Sequence, residues 1–123
     1  MKIYDEGIFL SHLDIEIAKS NRFGYPFSVL AIKAINPQSQ TLALLNSILL
    51  ANYRSTDLLA HIDVYTYVFL LNGTVEEDAQ KYLSRLINKA VSENEIPIVA
   101  AVTSFQETDD KKVIMDRLIK KLH

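Results

Sequence analysis

The chain has 123 residues, of which 49% are apolar and 23% charged, the balance of an ordinary globular domain rather than a disordered or fibrous chain. Its net charge of −2 provides no bulk attraction to nucleic acid or to an anionic membrane, so we expect neither as a partner. The absence of cysteine excludes disulfides, thiolate metal sites and cysteine nucleophiles. No apolar run could span a bilayer and the first residues lack a signal-peptide core, so residues 1–123 are expected to form a single cytoplasmic domain.

The first half of the chain predicts a helix, a buried strand and a second helix. Apolar residues at helical spacing predict the first helix over residues 9–22, and Gly24 is typical of its end. A nearly unbroken apolar run over residues 27–35 predicts a strand that is covered on both faces, interrupted only by Lys33. Residues 40–54 predict a second helix, which should be largely buried because its apolar side chains cover more than one narrow stripe.

The middle of the chain predicts a β-hairpin followed by a capped helix. Two apolar, β-branched or aromatic runs at residues 58–62 and 65–71 flank a two-residue junction at 63–64. Thr74 precedes Glu77 by three residues, which is typical of a capping box at the start of a helix. The predicted core face of this third helix consists of Ala79, Tyr82, Leu83, Leu86, Ile87, Ala90 and Val91.

The last part of the chain completes the order of elements. Residues 97–105 predict a strand, and a final helix begins near Thr108 with acids at its start and bases at its end, as suits the helix dipole. The order is therefore α-β-α-β-β-α-β-α. This order indicates an α+β fold with a ferredoxin-like βαββαβ core, in which helices flank a central, mainly antiparallel mixed sheet.

Several segments of the chain together carry a resemblance to one family. They follow one another in the family's order and with nearly its spacing, and they are Asp14–Leu30, Arg54–Ile62, Val68–Thr74 and Val99–Phe105. These segments resemble the GGDEF domain of diguanylate cyclases, bacterial signalling enzymes that join two GTP molecules into cyclic di-GMP. The resemblance implies the family's nucleotide-cyclase palm-like fold, shortened between residues 36 and 53.

The signature of that family is altered in this chain. Its five positions read Asp63, Val64, Tyr65, Thr66 and Tyr67. In the family the first two are glycines that let the backbone approach the nucleotide, the third is an acid that binds Mg²⁺, and the fourth is an acid that assists catalysis. A further metal-binding acid of the family is replaced by Lys33. Phosphoryl transfer depends on the metal and on positioned charge. The resemblance therefore implies a degenerate domain that has lost catalysis, with no metal and no cofactor.

Arg54 and Asp57, in contrast, keep a pattern of the family. They lie just ahead of the signature, at the offset of the RxxD inhibitory site that binds cyclic di-GMP, and Arg85 matches an arginine that the family supplies from the helix after the hairpin. An arginine fork fits the O6/N7 edge of guanine or a phosphate, and a carboxylate can accept from guanine N1 and N2. A structural role is equally compatible, with arginine in a last helical turn and aspartate capping the turn into the strand.

Two functions follow from these residues. The first is a catalytically inactive GGDEF-like signalling domain that binds cyclic di-GMP, or a related guanine nucleotide, through Arg54, Asp57 and Arg85 and relays it to a protein partner. The second is a ligand-independent interaction or dimerisation module on the same fold. A further hypothesis concerns Lys33, since a lysine in an apolar strand needs a partner, and Asp63 is the counter-charge it suggests.

Three more polar side chains are expected to be structural. Strand alternation places Tyr65 and Tyr67 on one face, where half-buried packing is expected rather than a platform that stacks a base. His61 lies among apolar neighbours and is expected to be a satisfied structural histidine. Taken alone, Arg85 belongs to a solvated stripe with Lys81 and Lys89.

Overall fold

The computed structural model describes residues 2–123 as an antiparallel sheet with helices packed on both of its faces. The helices are α1 Glu6–Phe23, α2 Ser39–Asn52, α3 Glu76–Ile87 and α4 Lys111–Leu122, and the strands are β1 Phe27–Ala34, β2 Leu58–Asp63, β3 Thr66–Asn72 and β4 Ile98–Ser104. The strand order β2-β3-β1-β4 confirms the predicted ferredoxin-like core. The three strand pairings are antiparallel, and a parallel bridge joins Tyr4 to Ala60. No helix among residues 2–123 has the length and apolar character to cross a membrane.

Strand β1 is the centre of the sheet, because β3 pairs with one of its edges and β4 with the other. Its side chains alternate between the two faces. Leu30 and Ile32 pack in the core under α2 and α3, whereas Val29 and Ala31 pack in the core under α1 and α4. The nearly unbroken apolar run of this strand is thus explained by burial on both faces, as predicted.

Helix α1 begins earlier than the predicted residue 9 because Asp5 caps it. The Asp5 carboxylate accepts a hydrogen bond from the amide of Ile8 at 2.9 Å and so satisfies one of the first amide groups. At the other end Gly24 adopts a left-handed conformation with φ 73°, which favours glycine, and its amide donates to Ser20 O.

Helix α2 is shorter and more exposed than predicted. It ends at Asn52, and of its side chains only Leu45 and Leu49 are buried, while Leu44 is 42% exposed. The prediction of a largely buried helix was wrong, because α2 lies in an outer layer and only one stripe of it faces the sheet.

Helix α3 presents most of its predicted core face. Ala79, Tyr82, Leu83, Leu86 and Ala90 are buried. Ile87 and Val91 were assigned to that face wrongly, since they are 37% and 41% exposed. A π-helical turn over Asn88–Ser92 follows the helix, and its wider turn changes the direction in which successive side chains point.

The hairpin turn lies one residue later than predicted. Strand β2 continues to Asp63, with a register shift between His61 and Asp63, so that Val64 and Tyr65 form the turn. Tyr65 is 44% exposed in this turn, whereas Tyr67 is buried in β3. The prediction that both tyrosines lie on one face of a strand was therefore wrong.

The predicted capping box before α3 is not formed. The residue that caps α3 is Val75, with no side-chain hydrogen bond. The Thr74 hydroxyl donates instead to the carbonyl of Asn72 at 2.9 Å and accepts from Arg54 at 2.8 Å. The prediction that Thr74 caps α3 was wrong, because its hydroxyl is hydrogen-bonded to Arg54 and to the carbonyl of Asn72 instead of to an amide of the helix.

Candidate ligand-binding site

A bidentate ion pair holds the corner between α2 and β2. Arg54 Nε donates to Asp57 Oδ2 at 2.7 Å, and Arg54 Nη2 donates to Asp57 Oδ1 at 3.0 Å. The Asp57 amide also donates to the carbonyl of Arg54 at 3.0 Å, which closes a turn. Arg54 lies beyond the end of α2 at Asn52, so the alternative that it belongs to the last helical turn was wrong.

The two partners of this pair differ in their exposure. The Asp57 side chain is fully buried, at 0% exposed, whereas the Arg54 side chain is 50% exposed. Both carboxylate oxygens accept from Arg54, and this hydrogen bonding raises the pKa of the Arg54 guanidinium. In this arrangement Asp57 orients the arginine from behind and presents no surface of its own to a ligand.

Thr74 ties Arg54 to the sheet. Arg54 Nη2 donates to Thr74 Oγ1 at 2.8 Å, and the carbonyl of buried Thr74 accepts from Ser28 Oγ at 2.8 Å. Arg54 therefore makes three hydrogen bonds through two of its nitrogens. Its third nitrogen, Nη1, makes none within residues 2–123 and is available as a donor.

Tyr82 brings Arg85 to the same place. This tyrosine is buried on α3, and its hydroxyl donates to the carbonyl of Asn52 at 2.6 Å. The guanidinium carbons of Arg54 and Arg85 lie 6.0 Å and 5.6 Å from the centroid of its ring, within the range of cation–π attraction. Burial raises the pKa of Tyr82 far above its ordinary value, so the hydroxyl stays a protonated donor.

A cavity of about 220 Å³, here called the corner cavity, lies between the loop that carries Arg54 and helix α3. Its lining consists of Arg54, Thr74, Asp78, Lys81, Tyr82 and Arg85. Of its three cationic side chains, Arg54 is paired with Asp57 and Lys81 with Glu77 at 3.7 Å. Arg85 makes no ion pair within residues 2–123, so it is the lining cation whose charge is suited to an anionic ligand. The structure thus places Arg54 and Arg85, two of the three predicted ligand-binding residues, in the lining of one cavity, whereas Asp57 lies behind Arg54 and outside the lining. Thr74, Tyr82 and Asp78 were missed, because each is explained locally as a residue of the third helix or of its cap.

The five positions that the resemblance assigns to the signature, Asp63 to Tyr67, lie outside the lining of this cavity. Tyr65 lines a separate cavity of about 400 Å³ together with Lys33, Val99 and Leu122. The Asp63 carboxylate accepts from the amide of Tyr65 at 2.9 Å and so closes the hairpin turn. The hypothesis that Asp63 is the counter-charge of Lys33 was wrong, since no ion pair joins them within 4.0 Å.

The residues at these positions do not fit a Mg²⁺ ion. This hard cation prefers carboxylate oxygens and water in octahedral geometry. At the positions that the resemblance assigns to the metal-binding acids, this chain has the phenol of Tyr65 and the ammonium of Lys33, and the neighbouring Thr66 is buried. Across residues 2–123 no group of three or more His, Cys, Asp or Glu side chains is placed to hold a metal ion.

His61 packs against an aromatic ring. Its ring centroid lies 4.4 Å from that of Tyr67, and the Tyr67 hydroxyl is hydrogen-bonded to Asn46. The expectation that His61 is satisfied was wrong in one respect, because its buried Nδ1 has no hydrogen-bond partner within residues 2–123.

Comparison with known proteins yields structural but not sequence matches. No protein-family model and no curated protein matches the chain. The GGDEF domain of DgcB from Caulobacter crescentus, in complex with c-di-GMP, has a TM-score of 0.88 at 10% identity and covers 98% of this chain and 81% of its own. A DGC protein from Thermotoga maritima has a TM-score of 0.82 at 21% identity, covering 98% and 95%. The diguanylate cyclase SiaD from Pseudomonas aeruginosa, in complex with its activator SiaC, has a TM-score of 0.86 at 16% identity, covering 96% and 53%.

The sheet topology first defines a class, an α+β domain with a ferredoxin-like core, here with a cavity lined by arginines between α3 and the loop that precedes β2. The structural likeness then specifies the fold within that class. The chain has the GGDEF domain fold, as its resembling segments predicted.

Proposed function

We propose that the protein is a catalytically inactive GGDEF-like signalling domain that binds cyclic di-GMP, or a related guanine nucleotide, at the corner cavity. One observation carries this proposal. Arg54 and Arg85 come from separate elements of the fold, yet they line one cationic cavity around the ring of Tyr82. Such convergence of arginines is what recognition of a guanine edge or a phosphate requires.

The ligand would be held mainly by Arg54 and Arg85. Asp57 and Thr74 already fix the guanidinium of Arg54, so little side-chain freedom is lost when Nη1 donates to a guanine acceptor. Arg85 and Lys81 supply charge for a phosphate. At about 220 Å³ the cavity is below the roughly 300–1,000 Å³ of drug-sized sites, so it would hold only part of one nucleotide, such as its base or a phosphate group, with the rest of the ligand outside the cavity.

The proposed loss of catalysis rests on the side chains at the signature positions. Tyr65, Thr66 and Lys33 provide no carboxylate for a metal, and Val64 carries a branched side chain where backbone access to a nucleotide is needed. Production of cyclic di-GMP from GTP and Mg²⁺ by the purified chain would contradict this part of the proposal.

We further propose that the bound state is passed to a protein partner, or to a second copy, in the cytoplasm. The structure of SiaD contains its activator SiaC, and that pairing supports an interaction role for this fold. The hairpin turn offers apolar surface, with Val64 69% and Tyr65 44% exposed. The same surface favours the second candidate function, an interaction module that needs no ligand.

Calorimetric titration with cyclic di-GMP tests the binding proposal. We expect the wild-type protein to bind. Arg54→Lys and Arg85→Ala should each raise the dissociation constant at least about tenfold, which is a loss of about 1.4 kcal/mol of binding free energy. Arg54→Lys keeps a cation beside buried Asp57 and loses the planar fork, so it avoids the unpaired buried charge that Arg54→Ala would leave.

Arg22→Ala is the matched control. Arg22 is an exposed arginine of α1, which packs on the opposite face of the sheet from α3, so its removal should leave the affinity unchanged. No heat and no thermal shift at high micromolar ligand, in protein with a wild-type circular dichroism spectrum, would exclude the receptor function and favour the interaction module.

A further inference from the structure

Strand β4 forms one edge of the sheet, because β1 is the only strand that pairs with it within residues 2–123. In an antiparallel pair the N–H and C=O of one residue point to the same side, and that side alternates along the strand. The carbonyl of Pro97 accepts from the amide of Ile35 at 3.1 Å and so points toward β1. By alternation, Ile98 and Ala100 direct their backbone groups away from the sheet.

Helix α4 covers the second half of this edge. The outward carbonyl of Val102 accepts from Lys121 Nζ at 2.8 Å, and that of Ser104 accepts from Arg117 Nη2 at 2.9 Å. In the first half, within residues 2–123, no hydrogen bond reaches the outward groups of residues 98 and 100. Residues 98–100 are also partly exposed, and they are here called the open edge.

The opposite edge of the sheet is treated differently. There the chain itself adds a partner to β2, since Tyr4 donates to the carbonyl of Leu59 and accepts from the amide of His61, both at 2.9 Å. The open edge has no such cover and carries no charged side chain. A charge on an edge strand is a usual device against pairing with another chain, so the open edge is able to accept a further strand.

We propose that a second copy of this chain pairs with the open edge in antiparallel orientation, about a two-fold axis at Val99. In this register each Ile98 lies opposite the Ala100 of the other copy, and such a pair exchanges both of its N–H···O bonds. Ile98 and Ala100 pack against the core under α2 and α3, whereas Val99 packs against the core under α1 and α4. Pairing would therefore continue both apolar cores into the second copy.

The charges beside the open edge favour a second copy in this orientation. Exposed Glu93 and Glu95 lie in the loop before β4, and exposed Lys121 lies beside its second half. None of the three makes an ion pair within residues 2–123. An antiparallel two-fold pair brings the start of one β4 beside the second half of the other, so acids of one copy approach Lys121 of the other. The edge is thus self-complementary in backbone groups, apolar character and charge.

Sedimentation velocity and hydrogen exchange of the full chain, without nucleotide, test this inference. We expect the sedimenting particle to change from monomer to dimer as the protein concentration rises. Over the same range the amides of Ile98 and Ala100 should become protected from exchange. The amides of Val99 and Ala101 point toward β1 and should be protected at every concentration.

One lysine substitution and a matched control locate the interface. Ala100→Lys places a charge on the open edge and should raise the dimer dissociation constant at least about tenfold. Ala18→Lys adds the same charge to an exposed position of α1 and should leave the constant unchanged. Wild-type circular dichroism spectra of both variants establish that each is folded.

A double variant tests the register. When Ile98→Glu is added to Ala100→Lys, the introduced carboxylate and ammonium face each other across the two copies in the proposed register. We expect the double variant to dimerise more tightly than either single variant. A double variant that is weaker than both single ones would contradict the pairing of Ile98 with Ala100.

Two further results would overturn the inference. A chain that stays monomeric up to about 1 mM would do so, because that concentration detects even about 4 kcal/mol of binding free energy. An unchanged dissociation constant in folded Ala100→Lys would place the interface elsewhere. The inference specifies the second copy that the proposed function allows as a partner. Since its tests use no cyclic di-GMP, they are independent of the calorimetric test of ligand binding.

Discussion

Asp57 illustrates how one buried carboxylate can determine the position of a half-exposed arginine. A carboxylate removed from water is unfavourable unless its oxygens are paired, and both Asp57 oxygens accept from Arg54. The arginine in turn keeps a nitrogen without a partner at the edge of the cavity. The proposed binding at Arg54 and the stability at Asp57 would therefore depend on the same two hydrogen bonds.

We predict that Asp57→Asn lowers the free energy of unfolding by about 1–3 kcal/mol, because the amide cannot accept both arginine donors and leaves one buried group unpaired. Urea denaturation measures this change. Asp116→Asn is the control, since Asp116 pairs with Lys112 on the surface with side chains 66% and 83% exposed, and its loss should cost less than about 0.5 kcal/mol. Equal costs for the two variants would contradict the role given to Asp57.

Helix α4 is tied to strand β4 by Arg117, and also by Lys121, whose ammonium donates to the carbonyl of Val102 at 2.8 Å. Arg117 donates through Nε to Thr103 Oγ1 at 2.6 Å and through Nη2 to the carbonyl of Ser104 at 2.9 Å, both on β4. It also makes two hydrogen bonds to Asp109, at 3.1 Å and 2.6 Å, in the segment that leads into the helix. These bonds lower the pKa of the Asp109 carboxyl below its ordinary value of 3.8.

This shift predicts an acid-sensitive attachment of α4. Because the pKa of Asp109 is lower in the folded state than in the unfolded state, its stabilising effect is fully present above the ordinary pKa and is lost as the pH falls through the lowered value. We expect the stability difference between wild type and Arg117→Met to shrink as the pH falls from about 5 to about 2. Urea denaturation at a series of pH values measures it.

The control for this prediction is Lys112→Met, which removes an exposed ion pair on the same helix and should change stability little at any pH. A difference between wild type and Arg117→Met that stays constant over the whole pH range would show that Asp109 does not contribute. In that case the polar tie of α4 would depend on neutral acceptors of β4, which are Thr103 and Ser104 for Arg117 and the carbonyl of Val102 for Lys121.

The molecule as a whole is a sheet between two layers of helices, with a separate apolar core on each face. Strand β1 contributes to both cores, so the layers unfold together if β1 is weakened. The corner cavity opens on the side of α3, and α2 and β2 reach it only through the loop that carries Arg54 and Asp57. The site is therefore supported by the packing of one helix layer against the sheet.

We predict that Leu30→Ala lowers the free energy of unfolding by about 2–5 kcal/mol, since Leu30 is 0% exposed in the central strand and its removal leaves a cavity. Chemical denaturation gives the value. Leu44→Ala is the matched control, because this leucine was expected to be buried in α2 but is 42% exposed, and its cost should stay within about 0.5 kcal/mol. A similar loss in both variants would contradict the assignment of the core.

Features that depend on local pattern were predictable from the sequence alone. Periodicity and end signals established the order of the elements and the doubly covered strand β1, and the resembling segments established the fold and pointed to Arg54 and Arg85. Predictions from local pattern were wrong in two situations. At Thr74 a residue distant in sequence, Arg54, binds the hydroxyl that was expected to cap a helix. In α2 the burial of each side chain depends on whether it faces the sheet, which the local sequence does not specify.

Only the tertiary structure decided which side chains meet. In the structure Thr74 and Tyr82 lie beside Arg54, and the Asp57 side chain is buried behind the Arg54 guanidinium. Lys33 and Asp63 form no ion pair, and Asp63 accepts from the amide of Tyr65 instead. A residue's own neighbours in the chain cannot specify such contacts, because they join positions far apart in sequence. They follow from how the helices pack against the sheet.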